Sequence, residues 1–288
     1  MENLLTSLDL AIFLVALLAA MAIGLIAGRT EKTSEDYFLA GRKIPWWGVA
    51  GSIFGSNVSA NHMVGMMGIG FGVGFAQSHF ELGAIAGLML LCYGFLPVYR
   101  ALNVYTLSEY LGKRYDERSR LLYALIMVLI MAVIQMVPAL YIGARSSCLL
   151  MGGDFVQPVE ESGKIALEVN YSYYILIVLG LAAISASYTI LGGLKAVIWT
   201  DFVQSLLLLA AGFIVTLLTF NEIGGWGEMM ALDQGRQGSD KMHLYLPMTH
   251  KELPWTGVLT GLMAMHFFYW GTNQFIVQRA LGARSDRE

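Results

Sequence analysis

Charge is scarce in this chain. Only 14% of its 288 residues are Asp, Glu, Lys or Arg, where a soluble domain carries about a quarter. That shortage excludes an ordinary water-exposed globule. The net charge of −3 says little, because in a membrane protein the distribution of charge matters more than its sum; no nucleic-acid partner is expected. Cysteine is nearly missing: Cys92 and Cys148 stand in apolar surroundings without metal-ligand neighbours. They read as small buried hydrophobes, with a disulfide left open. The enzyme signatures HExxH, GxSxG, the P-loop and CxxC do not occur. His79 and Glu81 are two residues apart, which is not a helical zinc-ligand spacing. No enzyme is expected, and an intramembrane hydrolase using His and Asp has no support. A cleavable leader is not evident, because the first apolar run follows acidic Glu2 and Asp9 and is long enough to span.

What the chain has instead is apolar length. Hydrophobic residues make up 56%, and they gather into seven stretches at roughly 8–28, 46–72, 76–99, 120–150, 171–193, 196–220 and 255–278. Each is near or above the ~20 residues a helix needs to cross hydrocarbon. Pro138 predicts a kink in the fourth. Pro45 suits the first turn of the second, after the charged linker 29–45. Segment 100–119 is polar with a helical pattern. Segments 151–170 and 221–254 read as acidic loops.

The basic residues choose sides. Arg29, Lys32, Arg42 and Lys43 lie in one loop, and Arg100, Lys113, Arg114, Arg118 and Arg120 in another. Lys195, Arg279, Arg284 and Arg287 fall on the same alternate turns. The positive-inside rule makes those loops cytoplasmic, the amino terminus external and the end of this chain internal. A multi-pass protein of the plasma (inner) membrane is expected, with the lipid bilayer as its constant partner. The tail RALGARSDRE reads as a loop caught in mid-run, so the chain is expected to be the amino-terminal part of a longer transporter.

The second stretch is the anomalous one. Between Gly51 and His62 it carries Ser52, Gly55, Ser56, Asn57, Ser59 and Asn61. Unpaired polar groups cost several kcal/mol in hydrocarbon, so this run must face protein or a wet cavity. Small residues also let a helix approach, or let the backbone unwind and offer carbonyls to an ion. Helix packing alone is the plain alternative. Glu81, a carboxylate at the edge of the third stretch, weighs toward a polar site, against an interfacial ion pair. His62 and His266 can each donate and accept, as sugar hydroxyls require, although a lone buried His is often a satisfied packing residue. The run after His266, Phe267 to Trp270, suits either stacking on a sugar or an interfacial belt. Asp201 could ligand a cation on its way out or cap a helix start, with Lys195 offering a plain ion pair.

At this point the residues resemble a known family, the sodium/solute symporters, and most closely its sodium/sugar branch. The likeness rests on DYFLAGR (36–42), WWGVAGSIFGSNVSANHMVG (46–65), FELGA (80–84), FLPVY (95–99) and YTLSEYLGKRY (105–115). It continues in YTILGGLKAVIWTDFVQ (188–204) and YWGTNQFIVQRALGAR (269–284). Several motifs at the right spacing cover nearly the whole chain. The resemblance implies an all-α membrane protein of the leucine-transporter type. An extra first helix (8–28) precedes a five-helix repeat (46–220), and a second, inverted repeat begins at 255–288, with one broken helix in each repeat. It implies sodium as the coupling ion, held by the carbonyls of Gly55 and Val58 and by helices beyond residue 288. Asn57, His62, Glu81 and Tyr269 would contact or gate a small polar solute, and Asp201 would assist sodium release. His266 stands where relatives carry Asn or Thr, so an altered sugar, a polyol or an acidic sugar would all be reasonable. A carboxylate, vitamin or amino-acid symporter, proton coupling through His62 or Asp201, and a membrane sensor or embedded enzyme on the same scaffold stay open. The sequence does not determine oligomeric state.

Overall fold

A computed structural model describes residues 5–29, 32–59, 62–161, 164–234 and 241–285. Asn61 and Arg287 lie outside the described residues. Every one of the seven apolar stretches falls on helix, and polar caps decide where most helices start. Thr6 and Asp9 form a reciprocal capping box for α1 (Ser7–Gly28), and Thr33 and Asp36 form another for α2 (Ser34–Leu39). Pro45 precedes α3 (Trp46–Asn57). Each cap satisfies N–H groups that a helix start leaves without partners.

The second stretch is interrupted as its composition predicts. Helix α3 ends at Asn57, Val58 is extended (φ −83°, ψ 115°), and the chain turns helical again at His62, giving α4 over 62–73. Helix α5 (Phe75–Ala101) follows after a tight turn at Gly74, and α6 (Leu107–Arg114) is the polar helix expected in 100–119. In α7 (Glu117–Met151) the hydrogen bonds widen to a π-helical run over Ile130–Met136, directly before Pro138. Proline has no N–H to give, and the widened turn absorbs the loss that sequence reasoning read as a kink.

Two expectations are corrected beyond α7. Segment 151–170 is no irregular loop: β1 (Val156–Glu161) and β2 (Lys164–Val169) pair antiparallel, with Val156 opposite Val169. Segment 221–254 contains helix α9 (Trp226–Gln234). Between them the fifth and sixth stretches run together as α8 (Tyr171–Ile223), 53 residues long. At 1.5 Å per residue that is ~80 Å, far beyond the ~30 Å of a bilayer core. Gly193 divides it. Its φ of 55° and ψ of −156° lie where L side chains do not go, so the helix changes direction there. The last stretch is divided too. Helix α10 (255–272) stops at Asn273, which is extended and caps α11 (Gln274–Leu281) through its side chain.

The bundle core gathers both halves of this second interrupted helix against α5 and α6, through Leu91, Leu96, Tyr99, Leu107, Trp270 and Ile276. The basic loops converge at one end. Ile44 N–H donates to the Gly282 carbonyl at 3.1 Å, Arg284 N–H to Ile44 at 3.0 Å, and Gln278 Nε2 to Phe38 at 2.7 Å. At the other end of α4, Phe75 N–H donates to the Lys241 carbonyl at 2.6 Å, which ties loop 241–254 over the turn. Cys92 and Cys148 are free thiols.

Candidate functional site

The interrupted helix α3–α4 places four of the expected residues around its break. Tyr269, on α10, donates its hydroxyl to Asn57 Oδ1 at 3.0 Å. Five residues past Asn57, His62 Nε2 lies 3.4 Å from Glu81 Oε1 on α5. The other ring nitrogen settles the tautomer. His62 Nδ1 accepts the Ser59 backbone N–H at 3.2 Å, so the proton of a neutral ring sits on Nε2 and points at the carboxylate. Neither group is deeply buried: the His62 side chain is 25% exposed and that of Glu81 is 44% exposed.

The same break frees backbone oxygens. Ser59 N–H is spent on His62, so it makes no helical bond to the Gly55 carbonyl. Val58 still donates to Phe54 at 3.0 Å, but its extended ψ turns its own carbonyl away from the helical direction. Gly55 packs so closely on α8 that a Cβ there would stand 2.6 Å from the Asp201 carbonyl. The neutral carbonyls of Gly55 and Val58 at an unwound point suit a hard monovalent cation. Among the described residues, no cluster of three His, Cys, Asp or Glu could hold a metal.

Nearer the basic end lies a second constellation. Asp201 Oδ2 accepts from Ser52 Oγ at 2.7 Å, Ser56 Oγ at 2.6 Å and Arg279 Nη2 at 3.2 Å. Arg279 also gives Nε to Ser52 at 2.8 Å and Nη1 to the Phe275 carbonyl at 2.7 Å. Ser52, Asp201 and Arg279 are all buried. One carboxylate thus joins α8 to the inner halves of both interrupted helices. The ion pair that sequence reasoning offered with Lys195 is therefore replaced. The partner of Asp201 is 78 residues away, brought in by α11.

His266 is not gathered with the others. Its Nε2 lies 3.2 Å from the His79 carbonyl, and its ring fills the space that the missing side chain of Gly83 leaves open. Sequence reasoning missed Arg279, counted only as a basic flank, and His79, set aside with the absent zinc motif. A signal existed for the first: an arginine inside Phe275–Leu281, about two helical turns whose only other polar residue is Gln278, must find a buried partner.

Interrupted helices whose breaks meet polar side chains and freed carbonyls in the middle of an apolar bundle are the architecture in which secondary transporters build their binding sites. Comparison with known proteins gives the family. The model of the sodium:solute symporter family matches residues 37–288. A sodium/glucose cotransporter of Vibrio parahaemolyticus is 30% identical over 297 residues, covering 100% of this chain and 51% of the relative. A human sodium/myo-inositol cotransporter 2 is 34% identical over 295 residues, covering 96% of this chain and 41% of the relative. Among solved structures, a Na+-coupled sialic acid symporter in a substrate-bound outward-open state superimposes with a TM-score of 0.80 at 22% identity, over 96% of this chain and 54% of the other. The chain belongs to the sodium:solute symporter family. Its fold is the leucine-transporter type, and it spans about half the length of the relatives it matches. The named relatives are transporters, not enzymes.

Proposed function

We propose that the intact protein is a sodium-coupled symporter that imports a small polar solute, a sugar or polyol, by alternating access. The observation that carries this reading is the pair of links across one helix break, Asn57 with Tyr269 and His62 with Glu81. Both links join groups that can donate to or accept from hydroxyls; the His62–Glu81 pair is partly exposed, whereas Asn57 is buried beneath the Tyr269 hydroxyl. The relatives' names, glucose and myo-inositol among them, favour the same solute class.

Asn57, His62 and Glu81 are the proposed solute contacts, with Tyr269 closing the site from α10. His266 belongs to a cavity next to it. The carbonyls of Gly55 and Val58 would hold sodium, and a cation there supplies positive charge to stabilise the unwound helix ends. The helices that follow this chain would complete both sites. Asp201 would govern release of the ion toward the basic end. Residues 46–220 then form the first repeat and 255–288 the opening of the second. The basic loops are cytoplasmic, the amino terminus is external and the membrane is the plasma membrane.

The test is uptake of a panel of labelled sugars, polyols and sugar acids by the intact protein in vesicles, with and without a sodium gradient. Glu81→Gln keeps size and removes charge; His62→Ala removes the ring. A hydrogen bond to a charged group contributes about 1.5–3 kcal/mol, so each change should raise the half-saturating solute concentration about tenfold or more. Because the two groups share one ligand, the double variant should fall short of the product of the single effects. Unchanged half-saturation in both single variants would move the solute site elsewhere.

A further inference from the structure

Loop 241–254 is a strap between the two interrupted helices, and a side chain that titrates closes its last turn. At one end the Lys241 carbonyl accepts the Phe75 N–H, while its ammonium donates to the Phe71 carbonyl and lies 4.7 Å from the Phe71 ring centre. Gly74 permits this approach, because a Cβ there would collide with the Lys241 backbone. In the middle, Leu246 is buried with Val73 and Ala76, and Leu253 packs on the same cluster. At the other end the Trp255 N–H donates to the Leu246 carbonyl at 3.1 Å, where α10 begins. The strap thus connects α4 and α5, which carry His62 and Glu81, to the start of α10, which carries Tyr269.

Segment 247–253 folds back on itself through His250. The His250 N–H donates to the Pro247 carbonyl at 3.0 Å, and its Nδ1 accepts the N–H groups of Glu252 at 3.3 Å and Leu253 at 3.1 Å. Two donors on one nitrogen require a lone pair there, so the ring in this turn is neutral with its proton on Nε2. A proton on Nδ1 would set a donor against two donors, and both bonds would be lost. Histidine is the side chain whose unperturbed charge change falls between about pH 5 and 8. The ring is half-buried, so water reaches it. Among the described residues that line its cavity, the charged ones are Lys251 and Glu252, of opposite sign and on the same loop. Helix α4 contributes Gly72 and Val73 there, which do not titrate. Only the neutral ring closes the turn, so closure is complete at high pH and is lost as pH falls and the ring takes up its proton.

We propose that His250 is a pH-sensitive clasp on this strap: neutral, it folds Leu253 onto Val73 and Ala76, and protonated, it releases the turn that leads into α10. Its bearing on transport rests on the reading above, in which this side is external. Acid outside the cell then loosens the connection between α4–α5 and α10, and the solute groups on those helices lose part of their alignment.

The experiment is amide hydrogen exchange over 246–256 in the intact protein in nanodiscs, from about pH 8 to pH 5, with rates corrected for the intrinsic pH dependence of exchange. In the wild type the protection of the Glu252 and Leu253 amides should fall about tenfold or more in acid, the loss of two ordinary hydrogen bonds. His250→Asn keeps a short acceptor that bonds the N–H groups just after it and does not titrate, so protection should persist across the range. His250→Ala should be unprotected at every pH. The chain has five histidines, and the difference between the wild type and His250→Asn isolates this one. Protection in the wild type that does not change with pH, or an equal acid loss in His250→Asn, overturns the clasp. In proteoliposomes, external acid should raise the half-saturating solute concentration more steeply for the wild type than for His250→Asn, and parallel profiles would overturn the coupling to transport. No sodium-driven uptake by the unaltered protein would overturn the transport reading alone, because exchange is read without solute or gradient.

Discussion

Arg279→Met tests the charge pair on which three helices converge. Arg279 and Asp201 stand 3.2 Å apart and are 8% and 9% exposed. At an effective dielectric constant of ~20, two unit charges at that distance attract by about 5 kcal/mol. Desolvation of the two ions offsets most of this, so the intact pair contributes little net stability. Removing one partner is different, because the other charge stays buried without its counter-ion, at a cost of about 3–5 kcal/mol. In Arg279→Met the carboxylate keeps the hydroxyls of Ser52 and Ser56, which places the loss near the lower bound. In Asp201→Asn the guanidinium keeps Ser52 and the Phe275 carbonyl, with a similar result. A loss of about 3 kcal/mol lowers the unfolding midpoint of a 150–250-residue domain by roughly 6–12 °C, and by about 2–4 °C in a protein of the relatives' length, about half of which this chain spans. The assay is thermal unfolding of the detergent-solubilised intact protein, followed by fluorescence-detected gel filtration. The double variant Asp201→Asn, Arg279→Met should lose clearly less than the two singles added, because neither charge is left alone. Single variants indistinguishable from the wild type, within about 1 °C, or a strictly additive double, would refute the reasoning. Asp201→Asn should also alter the sodium dependence of uptake; an unchanged dependence would confine the pair to a structural role.

Two further outcomes follow from the loops. Single cysteines at Gln157 in β1, in a background without Cys92 and Cys148, should react with an impermeant reagent added outside intact cells, and cysteines at Lys113 should not; the opposite pattern reverses the membrane orientation. The Thr33 hydroxyl, followed by the Lys32 N–H, holds the Asp36 carboxyl below its ordinary value. Such a depressed carboxyl stabilises the fold above the unfolded pKa of ~3.9, and that contribution fades as pH falls through the folded value. The midpoint difference between wild type and Thr33→Ala should accordingly be steady near neutrality and shrink in acid, and a difference that widened in acid would contradict the sign.

The interrupted helix was legible because its cause is local. Ser, Gly and Asn between Gly51 and His62 cannot settle in lipid as a regular helix, and the break falls among them at Val58. The Pro138 distortion and the polar helix at Leu107–Arg114 have equally local causes. The pairs that build the sites do not. Asp201 was matched with Lys195 because the two are close in sequence, whereas Arg279 reaches it only after α11 has packed against α3 and α8. The division of α8 at Gly193 is visible in sequence only as a short gap between two apolar runs, since the left-handed φ of one residue leaves no periodic trace. The hairpin at 156–169 was hidden by its acidic, turn-rich composition. The placement of the His266 ring was not legible, because the bare Cα of Gly83 that gives it room lies far away in the chain.

The single oxygen Asp201 Oδ2 is shared by Ser52 and Ser56 on one interrupted helix and by Arg279 on the other. A shared acceptor makes the two helices competitors as well as partners. Tightening the grip of one on that oxygen loosens the grip of the other, and any free energy by which a ligand at the Asn57 break changes the Asn273 break must return, equal in size, in the opposite direction. Should sodium bind at the Asn57 break as proposed, Asp201 Oδ2 is the atom through which the Asn273 break would feel it.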